Sequence, residues 1–182
     1  MMSKFAKYLR DGHGVAAIEV AFIMPFLLLL YFGLVDLTAL ISFNRKANYS
    51  ASVITDLVTQ NVTTVSSSDI ADYFKAAELI MKPVPATSVR FQVYRFPAAG
   101  SVQLLKESTT GPSCGSAPSA SSVSTLMTDT NDVILGRVCL TYAPYIATFL
   151  GKNILGATSF TISEEIALRP RQSKTLTCTG CP

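Results

Sequence analysis

The sequence predicts an α+β protein. A long N-terminal helix starts as a membrane-crossing stretch and continues as an amphipathic helix, and a small antiparallel sheet domain follows it. Three observations predict this. Residues 20–35 read VAFIMPFLLLLYFGLV, sixteen positions without a charge. Leu34 to Lys82 contains neither proline nor glycine, so nothing breaks a helix that leaves the apolar stretch. Beyond Pro83 and Pro85 the apolar residues recur at a period of two, the repeat of a half-buried strand. A length of 182 residues suits one domain with its anchor.

Composition agrees and excludes several classes of function. The chain is 49% hydrophobic and 15% charged, against roughly 25% charged in an ordinary soluble domain. A formal charge of +3, with no basic run longer than Arg45-Lys46, gives no footprint for nucleic acid. His13 is the single histidine, which excludes Ser-His-Asp, Cys-His and most zinc hydrolase sites from the body of the chain. No cluster of Ser, Lys or carboxylates has catalytic spacing, so no enzyme, metal or cofactor is expected.

In chain order, residues 1–14 form a basic leader carrying Lys4, Lys7 and Arg10, and residues 15–43 form the transmembrane helix. A span of roughly 20 residues crosses a bilayer. The stretch is too long and leucine-dense for a buried core helix, and Leu37-Thr38-Ala39 fits a signal-peptidase site poorly. The leader charges favour a cytoplasmic N-terminus, with Arg45-Lys46 as the countersignal. All four cysteines, Cys114, Cys139, Cys178 and Cys181, follow the span, as befits an oxidising compartment. Residues 44–182 are therefore expected to be an extracytoplasmic domain.

From Ala47 the residues Ala51, Ile54, Leu57 and Val58 recur at helical spacing opposite Asn48, Ser52, Thr55, Asp56 and Thr59. A helix from Val15 to Gln60 would be about 69 Å long. A second helix is predicted with Ser68 as N-cap, Asp69 and Asp72 in its first turn, and Ile70, Phe74, Ala77 and Met81 on one face. Val89, Phe91 and Val93 predict a strand, and Ser101 to Lys106 pairs with it as a hairpin across Pro97 to Gly100. Residues 108–124, rich in Ser, Thr, Gly and Pro, are expected as an exposed loop holding Cys114. Val133 to Tyr142 is the strongest strand, and Thr158 to Leu168 is the last, with Glu164 interrupting its apolar face. Cys178 and Cys181 have C-x-x-C spacing at a polar chain end, which suits a structural disulfide better than a redox or zinc motif. Four cysteines allow three connectivities; the closeness of Cys178 to Cys181 favours that pair, leaving Cys114 for Cys139.

Within the apolar helix four residues stand out. Glu19 places a carboxylate near the start of the span, where it needs a partner or must snorkel to the interface. Pro25 removes one backbone hydrogen bond and marks a bend or local unwinding. Gly33 alone is no packing motif. Asp36, about 25 Å further along the axis than Glu19, is expected at the opposite interface as a solvated border residue.

Gly14-Val15-Ala16-Ala17-Ile18-Glu19, at the junction of the basic leader with the apolar helix, resembles the processing site of type IV pilin-like precursors. There a prepilin peptidase cuts after glycine, and a glutamate lies five residues into the mature chain. The run from Glu19 through Pro25, the leucines, Gly33 and Asp36 is similar to the TadE/TadG-like family of tight-adherence (Flp-type) pilus assembly proteins. Val20 stands where such precursors more often have an aromatic residue, and Asp36 replaces a commoner glutamate. The resemblance implies a pilin-like fold and a minor pilin or pseudopilin, cut between Gly14 and Val15 and packed through its N-terminal helix. Glu19 would meet the α-amine of a neighbouring subunit. The implied partners are other pilus subunits and pseudopilins, a prepilin peptidase, an inner-membrane assembly platform and membrane lipid. The implied location is the bacterial inner membrane, single-pass, with a periplasmic C-terminal domain and a possible place in the extracellular pilus. The alternative is an uncleaved, anchored periplasmic binding or scaffolding domain.

Overall fold

The computed structural model describes residues 13–98, 100–127, 130–150 and 159–182. The leader cations Lys4, Lys7 and Arg10, and Thr158 at the start of the last strand, lie outside these. Helix α1 (His13–Thr59) is a single unbroken element of 47 residues, about 70 Å long. From Ala39 onward it packs on the sheet through Ala39, Leu40, Phe43, Ala47, Ala51, Ile54 and Val58. Its last turn is closed by the Asn61 side chain, whose Nδ2 donates to the carbonyls of Leu57 (3.1 Å) and Val58 (3.2 Å), and by the Arg171 N–H, which donates to the Thr59 carbonyl (3.1 Å). These satisfy carbonyls that a helix end leaves without intrahelical donors.

The chain then makes a short strand, β1 (Thr64–Ser66), and helix α2 (Ser67–Met81). The helix buries Ile70, Phe74, Ala77 and Met81, the predicted face. Its N-cap is Ser66 and not Ser68. Ser66 Oγ accepts from the Asp69 N–H and the Asp69 carboxylate accepts from the Ser66 N–H, both at 3.1 Å, a reciprocal capping box. The box requires an acid three residues after the cap, which Ser66 has at Asp69; counted from Ser68, that position is Ala71.

Strands β2 (Val89–Phe96), β3 (Gln103–Glu107), β4 (Val133–Tyr142) and β5 (Phe160–Leu168) form an antiparallel sheet in the order β3-β2-β4-β5. Between β4 and β5 lies a short helix, α3 (Tyr145–Leu150). One sheet face, with Val89, Phe91, Val93, Val138, Leu140 and Ile162, meets α1 and α2 in the main core. Glu164, on the same face, is not an error in the pattern: its carboxylate accepts from Asn44 Nδ2 (2.7 Å) and Asn48 Nδ2 (3.4 Å) of α1.

The opposite face is also covered. Tyr94, Phe96, Val133 and Leu135 pack with Val123, Leu126 and Met127 in a second cluster. Residues 108–124 are largely exposed, as expected, and are tethered to the sheet. Cys114 is bonded to Cys139 of β4, and the buried Arg137 guanidinium donates to the Ser116 carbonyl at 2.7 Å. A buried guanidinium needs acceptors, and the Glu165 carboxylate of β5 (2.6 Å from Nε) and the loop backbone supply them. A C-terminal strand, β6 (Thr177–Thr179), pairs in parallel with β1. The buried Asp132 carboxylate holds it there, accepting from Leu176 N–H (2.9 Å) and Arg95 Nε (2.8 Å).

The helix approaches the sheet most closely at Gly136. A Cβ there would collide with Thr55 Oγ1 and lie 3.1 Å from the Ala51 carbonyl oxygen. Thr55 Oγ1 is fixed by donating to the Ala51 carbonyl at 2.7 Å. Valine has a higher strand propensity than glycine, yet Gly136→Val should destabilise the domain by about 1–3 kcal/mol through overpacking. Urea unfolding of the full chain in detergent, followed by circular dichroism, should show a lower midpoint, partly restored by Thr55→Ala.

Candidate assembly helix and its junction with the sheet domain

The N-terminal half of α1 has no partner in its own chain. Ile18, Val20, Phe22, Ile23, Phe26, Leu27 and Leu30 are all more than half exposed, Phe22 the most at 73%. With Met24 at 55% and Leu28 at 45%, the exposed apolar side chains extend around most of the helix. Each large apolar side chain left in water forgoes about 1.5–3 kcal/mol of burial, so this half requires lipid or other helices. Among the described residues it is the one helix long and apolar enough to cross a membrane.

Glu19 lies exposed on this half, and no described residue bonds to it. The helix runs through Pro25 without interruption, so no local unwinding accompanies the missing N–H. At Gly33 an added Cβ would meet nothing within 4 Å, so only a neighbour outside the chain would demand glycine there.

Asp36 corrects the expectation of a solvated border residue: it is 7% exposed. One carboxylate oxygen accepts from Tyr142 Oη (2.9 Å) and the Tyr145 N–H (2.8 Å), and the other accepts from the Ile146 N–H (2.8 Å). Tyr145 and Ile146 are the first residues of α3, whose opening N–H groups lack intrahelical acceptors. The preceding Ala143-Pro144 offers no capping side chain. The cap is therefore delivered from α1, more than a hundred residues earlier, and its negative charge suits the positive end of a helix. Hydrogen bonds to a charged group are worth about 1.5–3 kcal/mol each.

Tyr142 completes the junction. Its ring packs on Phe43 (5.5 Å between centroids) and edge-on to Phe160 (5.4 Å). Burial, the hydrogen bond to Asp36 and the Asp36 charge push its hydroxyl from 10.0 up to about 12. A raised value means that the folded state holds the proton more tightly than the unfolded chain. This contribution to stability is complete below pH 10.0 and is lost as pH rises towards 12.

Tyr142, Tyr145 and Ile146 escaped sequence reasoning; the signals were an acid inside an apolar helix and a short helix with no cap of its own. Elsewhere, Cys114–Cys139 and Cys178–Cys181 are disulfide-bonded, with Cα atoms 5.6 and 5.8 Å apart. Among the described residues no three His, Cys, Asp or Glu side chains gather as a metal site.

The exposed apolar half, Glu19, Pro25, Gly33 and Asp36 all lie on one helix, and that helix is what the comparison with known families picks out. Residues 14–53 match the TadE-like protein family. No curated protein and no solved structure matches the chain. The TadE-like segment begins at Gly14, one residue into α1, and ends two residues before Thr55, so it takes in the exposed half, Asp36 and the first turns that pack on the sheet. Tyr142, Tyr145 and Ile146, which receive Asp36, lie outside it.

Asp36→Ala should leave two backbone N–H groups and a hydroxyl without their acceptor. A loss on the order of 3 kcal/mol is expected, since a buried unsatisfied group costs about 1–3 kcal/mol and α3 can fray to meet water. Hydrogen exchange at Tyr145 and Ile146 in the full chain should accelerate strongly, with strands β2 and β4 much less affected.

Proposed function

We propose that this protein is a minor pilin-like component of tight-adherence pilus biogenesis, anchored in the bacterial inner membrane by α1 with its sheet domain in the periplasm. A prepilin peptidase removes the leader between Gly14 and Val15, and the mature chain associates helix to helix with other pilus subunits and pseudopilins on the inner-membrane assembly platform. The observation that carries this reading is the TadE-like match lying wholly on α1, over a segment whose first half is apolar around most of the helix.

The same reading gives each marked residue a task. In the stretch between Glu19 and Asp36 the chain has sixteen uncharged residues, and Val15 to Val35 is about 31 Å of helix, close to the hydrocarbon thickness of a bilayer. The span thus ends at Asp36, where the sheet domain takes over the helix, rather than at Phe43. Cleavage after Gly14 leaves a cationic α-amine on Val15, one helical turn from Glu19. On a neighbouring helix displaced by one turn, that amine neutralises the Glu19 carboxylate, which is otherwise costly in lipid. Pro25 and Gly33 lie on the surface that neighbouring helices cover.

Glu19→Ala tests this. Insertion should survive, because the helix becomes more apolar, and processing after Gly14 should be largely retained. Assembly should fail, since removing one partner of a buried charge pair costs about 3–5 kcal/mol. In cells carrying the variant, piliation and co-purification with other pilus subunits should both be lost. Normal piliation with normal co-purification would refute the pairing, and failure to insert would refute the placement of the span.

A further inference from the structure

Arg45-Lys46 stays unexplained by this reading: a basic pair just beyond the span, on the side that a membrane protein usually keeps poor in such residues. The face of α1 turned away from the sheet carries a groove lined by Thr38, Ile41, Ser42, Arg45 and Lys46. Thr38, Ser42 and Arg45 follow one another at helical spacing on one side; Thr38 Oγ1 donates to the Leu34 carbonyl at 2.8 Å, so the Ser42 hydroxyl and the Arg45 guanidinium are the donors this side offers to a ligand. No described carboxylate pairs with Arg45. The two acids at this level are already engaged, Asp36 by Tyr142 and α3, and Glu164 by Asn44 and Asn48. Lys46 Nζ donates to the carbonyl of Lys82 at 2.6 Å, which brings Lys82 to the same rim.

Depth agrees with charge. Arg45 is nine residues beyond Asp36, about 14 Å along the axis. Side chains on a helix tilt towards its N-terminus, here towards the membrane, and a long cationic chain spans the remaining distance to a headgroup layer roughly 5–7 Å thick. The surface between is apolar and exposed: Leu37 at 52%, Ile41 at 46%, Phe160 at 43% and Tyr145 at 64%. Exposed aromatic and aliphatic side chains below a cationic rim are what a bilayer interface accommodates.

We propose that Thr38, Ser42, Arg45 and Lys46 form a collar that binds the phosphate headgroups of anionic phospholipids in the leaflet beneath the sheet domain. The inference rests on α1 spanning the membrane. Held this way, the domain stands at a fixed height on the bilayer, with Asp36 at the boundary of the hydrocarbon.

The test uses the full chain in nanodiscs containing phosphatidylglycerol and phosphatidylcholine in equal amounts, with retained lipids counted by native mass spectrometry. Each basic residue near an anionic surface contributes roughly fivefold, so the wild type should retain phosphatidylglycerol in several-fold excess. Arg45→Gln with Lys46→Gln should bring the ratio close to that of the disc at an unchanged unfolding temperature, and Arg45→Lys with Lys46→Arg should keep the excess. Equal enrichment in the Gln variant would overturn the proposal. So would saturable binding of inorganic phosphate to the wild type in detergent, which would make the groove a site for soluble anions. A wild-type chain absent from the disc fraction would overturn the span itself, a result distinct from either.

Discussion

A single unbroken helix serves two surroundings, and the rest of the structure follows from where one gives way to the other. Apart from the N–H absent at Pro25 and the capped last turn, helix α1 keeps its backbone hydrogen bonds internal, so the change is made by side chains. Up to Val35 they are, Glu19 apart, mostly apolar and exposed; from Ala39 one face, made of Ala39, Leu40, Phe43, Ala47, Ala51, Ile54 and Val58, turns onto the sheet. Asp36 sits at the change. Its carboxylate ties the helix to Tyr142 at the end of β4 and to the start of α3. That tie fixes how the domain sits on its anchor. The close approach at Thr55 and Gly136, and the Asn44 and Asn48 bonds to Glu164, set the register of helix on sheet further up.

The side of the domain away from the helix is held by a second apolar cluster and by two buried charges. Arg137 and Asp132 are each buried and each ion-paired within the sheet, to Glu165 and Arg95, and each also bonds backbone from a segment with little regular structure. A buried charge still has hydrogen-bonding capacity to satisfy beyond its ion pair, and the carbonyl of Ser116 and the N–H of Leu176 meet it, drawing residues 111–118 and the C-terminal strap onto the sheet. The Cys114–Cys139 bond fixes the first of these segments covalently. The strap also reaches α1: Arg171 pairs with Asp56 while its N–H caps Thr59. Both ends of the sheet-packed part of α1 are therefore closed by residues from the far end of the chain.

What the sequence made legible is what periodicity encodes. The extent of α1, the buried face of α2, the β2–β3 hairpin and the length of β4 follow from apolar residues at spacings of 3.6 or 2, a local property. What it hid is what depends on distant partners. Asp36 in a helical apolar run reads as a border residue, because its donors lie more than a hundred residues away, at the end of β4 and on a helix six residues long. The β1–β6 pair has three residues a side and no pattern of its own. The loop at 108–124 reads as exposed because its composition is polar; Cys114, paired with Cys139 of the strongest strand, was the signal that it is tethered to the sheet. The Ser66 cap was hidden for a different reason: three serines in succession leave the choice to the position of the acid, and Asp69 selects the first.

The central claim is that α1 acts as a pilin-like helix whose mature end is Val15, one turn from Glu19. All else assigned to the exposed half of α1 depends on that end, because the α-amine created there is the proposed partner of the glutamate. The most direct measurement is the N-terminal sequence, with the intact mass, of the protein purified from its native membrane. The account predicts a chain that begins Val15-Ala16-Ala17, lacking the first fourteen residues. A membrane-embedded chain that begins at Met1 would contradict it and leave α1 a plain anchor.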